Sequence, residues 1–204
     1  MTMPPSSFLH RYGRNKAAVW GVCFLCLLGV VAVFGPAIYP VDPWAMSAKS
    51  LIWPGVDAAV PLGSDVLGRD VLSGLINGAR ISLLIGLAAT AASVTVGIVV
   101  GGLSGYFSGV VDDLLMRTTE VFQTIPSFLF VIVLVAIFQP SVGVVIFSIA
   151  TVSWPPVARL VRGEFLTLRQ RPYVQSCIVI GMSQPRIIFT QILPNCMAPV
   201  IVTA

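Results

Sequence analysis

One histidine serves the whole chain, His10, and it sits in a basic N-terminal stretch with no acid beside it. That scarcity excludes a catalytic triad with any credible partner and any metal centre built on imidazoles. The phosphate-cradling G-x-x-x-x-G-K-[ST] is missing, and so are G-x-S-x-G and H-E-x-x-H. The chain therefore does not bind ATP through a P-loop and offers no hydrolase nucleophile or zinc-protease helix. The four cysteines do not fill the gap. Cys23 and Cys26 form a C-x-x-C inside an apolar run, without a second ligand pair, and read as small fillers of a helix; Cys177 and Cys196 are isolated. Asp112 and Asp113 are adjacent, so on a helix they point about 100° apart and are not a poised carboxylate pair. No enzyme reading survives these absences, and no cofactor is expected.

Charge is also scarce. Charged residues make up 10% of the 204 residues and hydrophobic ones 56%, more apolar surface than a water-soluble domain of this size can bury. The net charge of +4 is no nucleic-acid signal, because lysines and arginines cluster at the ends of apolar runs and no aromatic-interleaved basic patch occurs. The runs themselves are almost free of ionisable residues. An ion-coupled transporter or channel ordinarily carries acids or histidines at membrane depth, each costing about 2.5–3.5 kcal/mol to insert. Their absence favours a pore whose energy arrives from elsewhere.

What is present is a series of long uncharged stretches. Residues 17–41 reach roughly 37 Å as a helix, enough to cross a ~30 Å hydrocarbon core. The run exceeds the 7–15 residues of a signal-peptide core, so it is expected to be a retained first span, ended by Pro36 and Pro40. Residues 42–80 form a polar excursion of near-neutral charge, within which Leu67, Val71, Leu75 and Ala79 recur every four residues. That pattern predicts an amphipathic helix lying on the outer surface. Residues 81–111 supply a second span with a glycine-rich exit, including the G-x-x-x-G of Gly97 and Gly101. Residues 121–158 hold no charge over about 57 Å of potential helix, which requires two spans turning at Gln139–Pro140–Ser141. Pro126 should kink the first of them.

Arg159, Arg162, Arg169, Arg171 and Arg186 face a single acid, Glu164, and form the strongest positive cluster. By the positive-inside rule the N-terminal tail and this basic loop lie in the cytoplasm and residues 42–80 lie outside. Within the loop, Pro172 suits a first helical turn, and Val174, Cys177 and Ile178 make one apolar face. Gly181 can end that helix in a left-handed conformation. Ser183 or Gln184 can cap the next, with Pro185 in its first turn. Pro194 and Pro199 interrupt the last apolar stretch of the chain.

The basic loop resembles the cytoplasmic coupling loop of ABC importer permeases, in which Glu-Ala-Ala is followed after three residues by Gly and later by Leu-Pro. Gln175, Ser176 and Cys177 stand at the triplet, Gly181 at the glycine and Leu193–Pro194 at the ending. All three triplet residues depart from the pattern with swaps close in size. Leu62–Gly63, Asp65, Leu67–Gly68–Arg69–Asp70 and Gly78–Ala79–Arg80 resemble the outer segment of peptide-type permeases. So do Gly105–Tyr106, Asp112, Leu115–Met116–Arg117 and Ile125–Pro126–Ser127 in the next stretch.

The resemblance, to the dipeptide/oligopeptide/nickel branch, covers about residues 62–199. It implies an all-α integral membrane protein, a polytopic transmembrane helix bundle. The expected layout is a cytoplasmic tail (1–16), spans near 17–39, 81–105, 121–138 and 142–158, an outer segment (42–80), a coupling loop (159–193) and the start of a fifth span (194–204). It also implies a multi-pass plasma (inner) membrane location with the N-terminus cytoplasmic. The partners it implies are a second permease subunit, two cytoplasmic ABC ATPases that bind the ATP, and an extracytoplasmic solute-binding protein. Tyr173, Val174, Gln175, Ser176, Cys177, Ile178 and Gly181 are the implied coupling residues, docking chiefly through Val174 and Ile178. Gln175→Glu is expected to be neutral or to improve that docking. Asp65, Arg69 and Asp70 are the implied contacts to the binding protein. Di- or oligopeptides are the implied substrate, with nickel and glutathione as alternatives. Two other classes remain: a secondary transporter or channel, and a non-transporting membrane protein. The early end of the fifth apolar stretch leads to the expectation that the chain is C-terminally truncated.

Overall fold

The computed structural model describes residues 14–203; His10 and most of the 1–16 tail lie outside them. Helices carry the described chain: α1 Lys16–Ile38, α2 Val71–Phe107, α3 Gly109–Thr124, α4 Ser127–Phe138, α5 Val142–Arg169, α6 Pro172–Val179, α7 Gln184–Ile187, and α8 Leu193–Thr203, with a π-helical turn Ile188–Ile192 joining the last two. Among the described residues there is no strand, only the isolated antiparallel bridges Met46–Arg69 and Ser64–Asp70. Four helical stretches are long and apolar enough to cross a bilayer: Lys16–Ile38, Val71–Phe107, Val142–Arg169 and Gln184–Thr203. The molecule is an all-α polytopic membrane protein. Its contacts divide it into two compact units, residues 1–84 and 85–204.

In the first unit α1 is apolar all round, with Trp20, Phe24, Leu25 and Val33 exposed, as a helix surrounded by lipid must be. Asn15 caps it by accepting the Ala18 N–H. The separate surface helix expected before the second span does not form. Val71–Phe107 is one helix of 37 residues, with no proline to interrupt it. Its buried face in this unit is Ser73 and Ile76, while Leu67 and Leu75 of the expected stripe are 49% and 60% exposed. Ser73 Oγ donates to the Val41 carbonyl, and Ile76 occupies the space a Cβ on Gly35 would need.

In the second unit, α2 and α5 meet along glycines. A Cβ on Gly97, Gly101 or Gly105 would collide with Val157, the Ala158 carbonyl oxygen or the Arg162 carbonyl oxygen respectively. The G-x-x-x-G of the sequence is therefore used for close helix approach. Beneath this seam lies the core, Tyr106, Val161, Phe165, Val174, Ile187, Ile192, Cys196 and Val200.

The expected span 121–138 is not one helix. Ile125 and Pro126 are extended, and α3 and α4 meet at 82°. Pro126 cannot supply the N–H a continuing helix needs and disfavours helical geometry at Ile125. It therefore breaks the run and begins α4. Phe122 fixes the corner, its ring edge-on to Trp154 of α5 at 5.3 Å and to Phe130 of α4 at 6.3 Å. The turn at Gln139 has φ 63°, and Ser141 caps α5 by accepting the Val144 N–H. That helix runs on to Arg169, so the first eleven residues of the expected 159–193 loop are helical. Nor does Pro194 interrupt the last stretch. The π turn ends in a Leu193 N–H bond to the Ile188 carbonyl, and the widened ladder carries the chain past a residue with no N–H to give.

Candidate functional site

Two places collect the residues singled out by sequence. The first is the loop after α5. Arg171 is extended, Pro172 opens α6, and the helix closes with Met182 N–H on the Cys177 carbonyl and Gly181 N–H on that of Ile178, both 3.0 Å. This is a Schellman ending with Gly181 at φ +80°. Ser183 is extended, and Gln184 and Pro185 begin α7; Ser183 makes no side-chain cap.

The face of α6 differs from expectation. Val174 is fully buried against the core and cannot be a docking contact; it seats the helix, with Cys177 half-buried beside it. What α6 exposes is Tyr173, Ile178 and, beyond the expected set, Val179 and Ile180 at 86% and 74%. The apolar run Ile178–Val179–Ile180 just before a left-handed glycine was the available signal. Gln175 donates its amide to the Arg169 carbonyl at 2.8 Å, tying α6 to the end of α5. A carboxylate there has no hydrogen to give, so Gln175→Glu would remove this bond. Ser176 donates to the Pro172 carbonyl at 2.9 Å. Beside α6 lies a hollow of about 430 Å³, lined by Tyr106, Phe107, Arg169, Ile178, Met182 and Gln184 among others. Arg169 spans its wall, its guanidinium 5.4 Å from the Tyr106 ring centre and 3.2 Å from Ser108 Oγ.

Residues that the sequence named apart, Asp112 and Arg162, come together with Ser104 to support this loop. Asp112, near the start of α3, receives Arg162 of α5 through two hydrogen bonds, Nε to Oδ1 at 2.5 Å and Nη2 to Oδ2 at 2.6 Å. Ser104 of α2 donates to the same carboxylate. Three helices are thus joined about two turns before the loop.

The second place is the 42–70 segment. Asp65 Oδ1 accepts the N–H groups of Leu67 and Arg69 at 2.8 and 2.9 Å, and Oδ2 accepts Arg69 Nε at 2.7 Å. Arg69 also lies 5.6 Å over the Trp44 ring. Asp70 is 3% exposed and accepts the Leu72 N–H, so it cannot touch a partner; Asp65 and Arg69 engage each other. These three residues shape the segment.

The Arg69 backbone N–H, helped by its guanidinium and the Leu67 N–H, holds the Asp65 carboxyl below its ordinary range. A depressed native pKa contributes order that is complete above the ordinary value of about 3.9 and is lost as pH falls through the native one. Trp44 fluorescence should therefore show an acid transition below about pH 4, and Asp65→Asn should remove it. An unchanged transition in the variant would refute the assignment.

Among the described residues no group of three His, Cys, Asp or Glu converges as a metal site would need. Residues 93–204 match the family described as binding-protein-dependent transport system inner membrane component, and residues 6–52 match the N-terminal TM domain of oligopeptide transport permease C. The chain is 38% identical to the di/tripeptide transport system permease protein DppC of Pseudomonas aeruginosa, over 98% of its own length and 68% of the relative's. It is 39% identical to the dipeptide transport system permease protein DppC of Escherichia coli K12, over 98% and 69%. With the oligopeptide transport system permease protein OppC of Haemophilus influenzae it shares 35%, over 96% and 63%. The chain thus spans about two thirds of these relatives' lengths.

Proposed function

Because the chain belongs to the family of binding-protein-dependent transport system inner membrane components, we propose that it is the permease subunit of an ABC importer carrying di- or oligopeptides into the cytoplasm. It is a transport component and not an enzyme. Its relatives named for dipeptide, di/tripeptide and oligopeptide transport support that substrate class over nickel or glutathione.

The observation that carries the reading is the α6 turn. A short helix seated by Val174 and closed by Gly181 offers Tyr173, Gln175, Ser176, Ile178, Val179 and Ile180 to a partner. In this proposal the partner is one of two cytoplasmic ATPases that bind the ATP; the N-terminus shares their side. A second permease completes the pore. The 42–70 segment, shaped by Asp65, Arg69 and Asp70, receives the extracytoplasmic binding protein.

A cysteine in place of Val179 should crosslink to a co-expressed ATPase subunit and resist impermeant reagents added outside intact cells. Labelling from outside, or no crosslink, would defeat the coupling assignment. Gly181→Val should leave insertion intact while severing uptake from ATP hydrolysis. No atom crowds a Cβ at that position, so the whole penalty, about 1–3 kcal/mol, comes from forcing a β-branched residue to positive φ.

A further inference from the structure

A serine or threonine hydroxyl on an apolar helix usually satisfies itself by donating to the carbonyl four residues back. Thr95, Thr119, Thr151 and Thr167 do so here. Thr90 of α2 and Ser153 of α5 lie within helices and make no such bond, and Ser127, the first residue of α4, has no preceding turn to bond. All three line one cavity of about 510 Å³, where Ser93 and Thr203 also reach but spend their hydroxyls on carbonyls of their own helices; the rest of the wall is mainly Ile149, Val152, Val157 and Leu160, and no charged side chain reaches it. Its size falls in the range of about 300–1,000 Å³ occupied by small-molecule sites.

Uncommitted hydroxyls on an apolar, uncharged wall suit one kind of occupant. A free ion would meet no countercharge, and a lipid tail would offer the hydroxyls no partner. A peptide main chain offers neutral donors and acceptors at regular intervals whatever its side chains are. We propose that Thr90, Ser127 and Ser153 line the passage of the transported solute and hydrogen-bond the peptide main chain, an inference that rests on the peptide-importer reading above. Selection here is by backbone, and the lack of charge keeps the passage indifferent to side-chain charge.

The test is uptake of tri-alanine and of lysine- and glutamate-containing tripeptides by the assembled importer in proteoliposomes, with binding protein supplied. Ser153→Asp should shift the lysine-to-glutamate uptake ratio toward lysine by about tenfold. A purely structural disturbance would lower both alike. An unchanged ratio overturns the proposal alone; absence of peptide uptake by the unaltered importer overturns the functional reading and the proposal with it. Should Ser153→Asp fail to assemble, Ser153→Cys decides. Its thiol should react with a small thiol reagent and be protected by tri-alanine. A thiol that peptide does not protect, or that never reacts because lipid or a partner helix fills the cavity, overturns the proposal.

Discussion

Gly101→Leu is expected to insert into the membrane and fail to pack, giving a protein that is recovered in low yield and aggregates in detergent. The added Cβ meets the Ala158 carbonyl group, which is main chain, and then the Val161 side chain. Ordinary overpacking costs about 1–3 kcal/mol because side chains yield; here α2 and α5 must separate along their length, so the cost exceeds that range. Separation also opens the contacts of Tyr106, Val161 and Phe165, and in a bilayer such packing is what holds helices together. Gly163→Leu is the control, since nothing lies near a Cβ there. Size-exclusion profiles and thermal unfolding in detergent should separate the two variants sharply. Equal behaviour would show that the glycine seam is not what brings these helices together.

The second large effect is expected at Arg162. Replacing it with methionine leaves the Asp112 carboxylate, 9% exposed, with only the Ser104 hydroxyl. Removing one partner of a buried pair costs about 3–5 kcal/mol, and removing both together can cost little. Arg162 keeps 35% of its side chain accessible, so solvent screening lowers the expected loss to about 2–3 kcal/mol. Arg162→Met combined with Asp112→Leu should recover most of it. The measurement is a double-mutant cycle on unfolding in detergent, where a coupling energy near zero would refute the pairing.

The class of the protein was legible in its sequence because it follows from sums over long stretches. Uncharged runs of spanning length and arginines gathered after residue 158 need no knowledge of neighbours. The α6 turn was legible for another reason: Pro172 and Gly181 act through their own backbones, and each does what its local chemistry requires. The face of α6 was not. Val174 and Ile178 are equally apolar and four residues apart, and only the core formed with Phe165, Ile187 and Ile192 decides that Val174 turns inward. The corner at Pro126 was visible as a proline, but its 82° depends on Phe122 finding Trp154 thirty-two residues away. Asp112 was read beside Asp113 as no poised carboxylate pair, which holds; its partner Arg162 lies fifty residues on. The length of α2 was misjudged because a change in amphipathic character was taken as a change of helix.

The π turn at Ile188–Ile192 sets the phase of everything after it. The buried residues of this stretch are Ile187, Ile192, Cys196 and Val200, so the inward line advances by five positions and then by four and four. An α-helix turns about 100° per residue, so five residues of regular helix would leave Ile192 about 140° around from Ile187, where four would leave it about 40° away. The wide turn absorbs the fifth residue where Pro194 needs slack and returns the helix to the core. The extra residue therefore serves Pro194 and not the register: a chain one residue shorter between Ile187 and Ile192 would close as regular α-helix and keep Cys196 and Val200 inward, whereas straightening the turn at its present length would rotate both by about 100°.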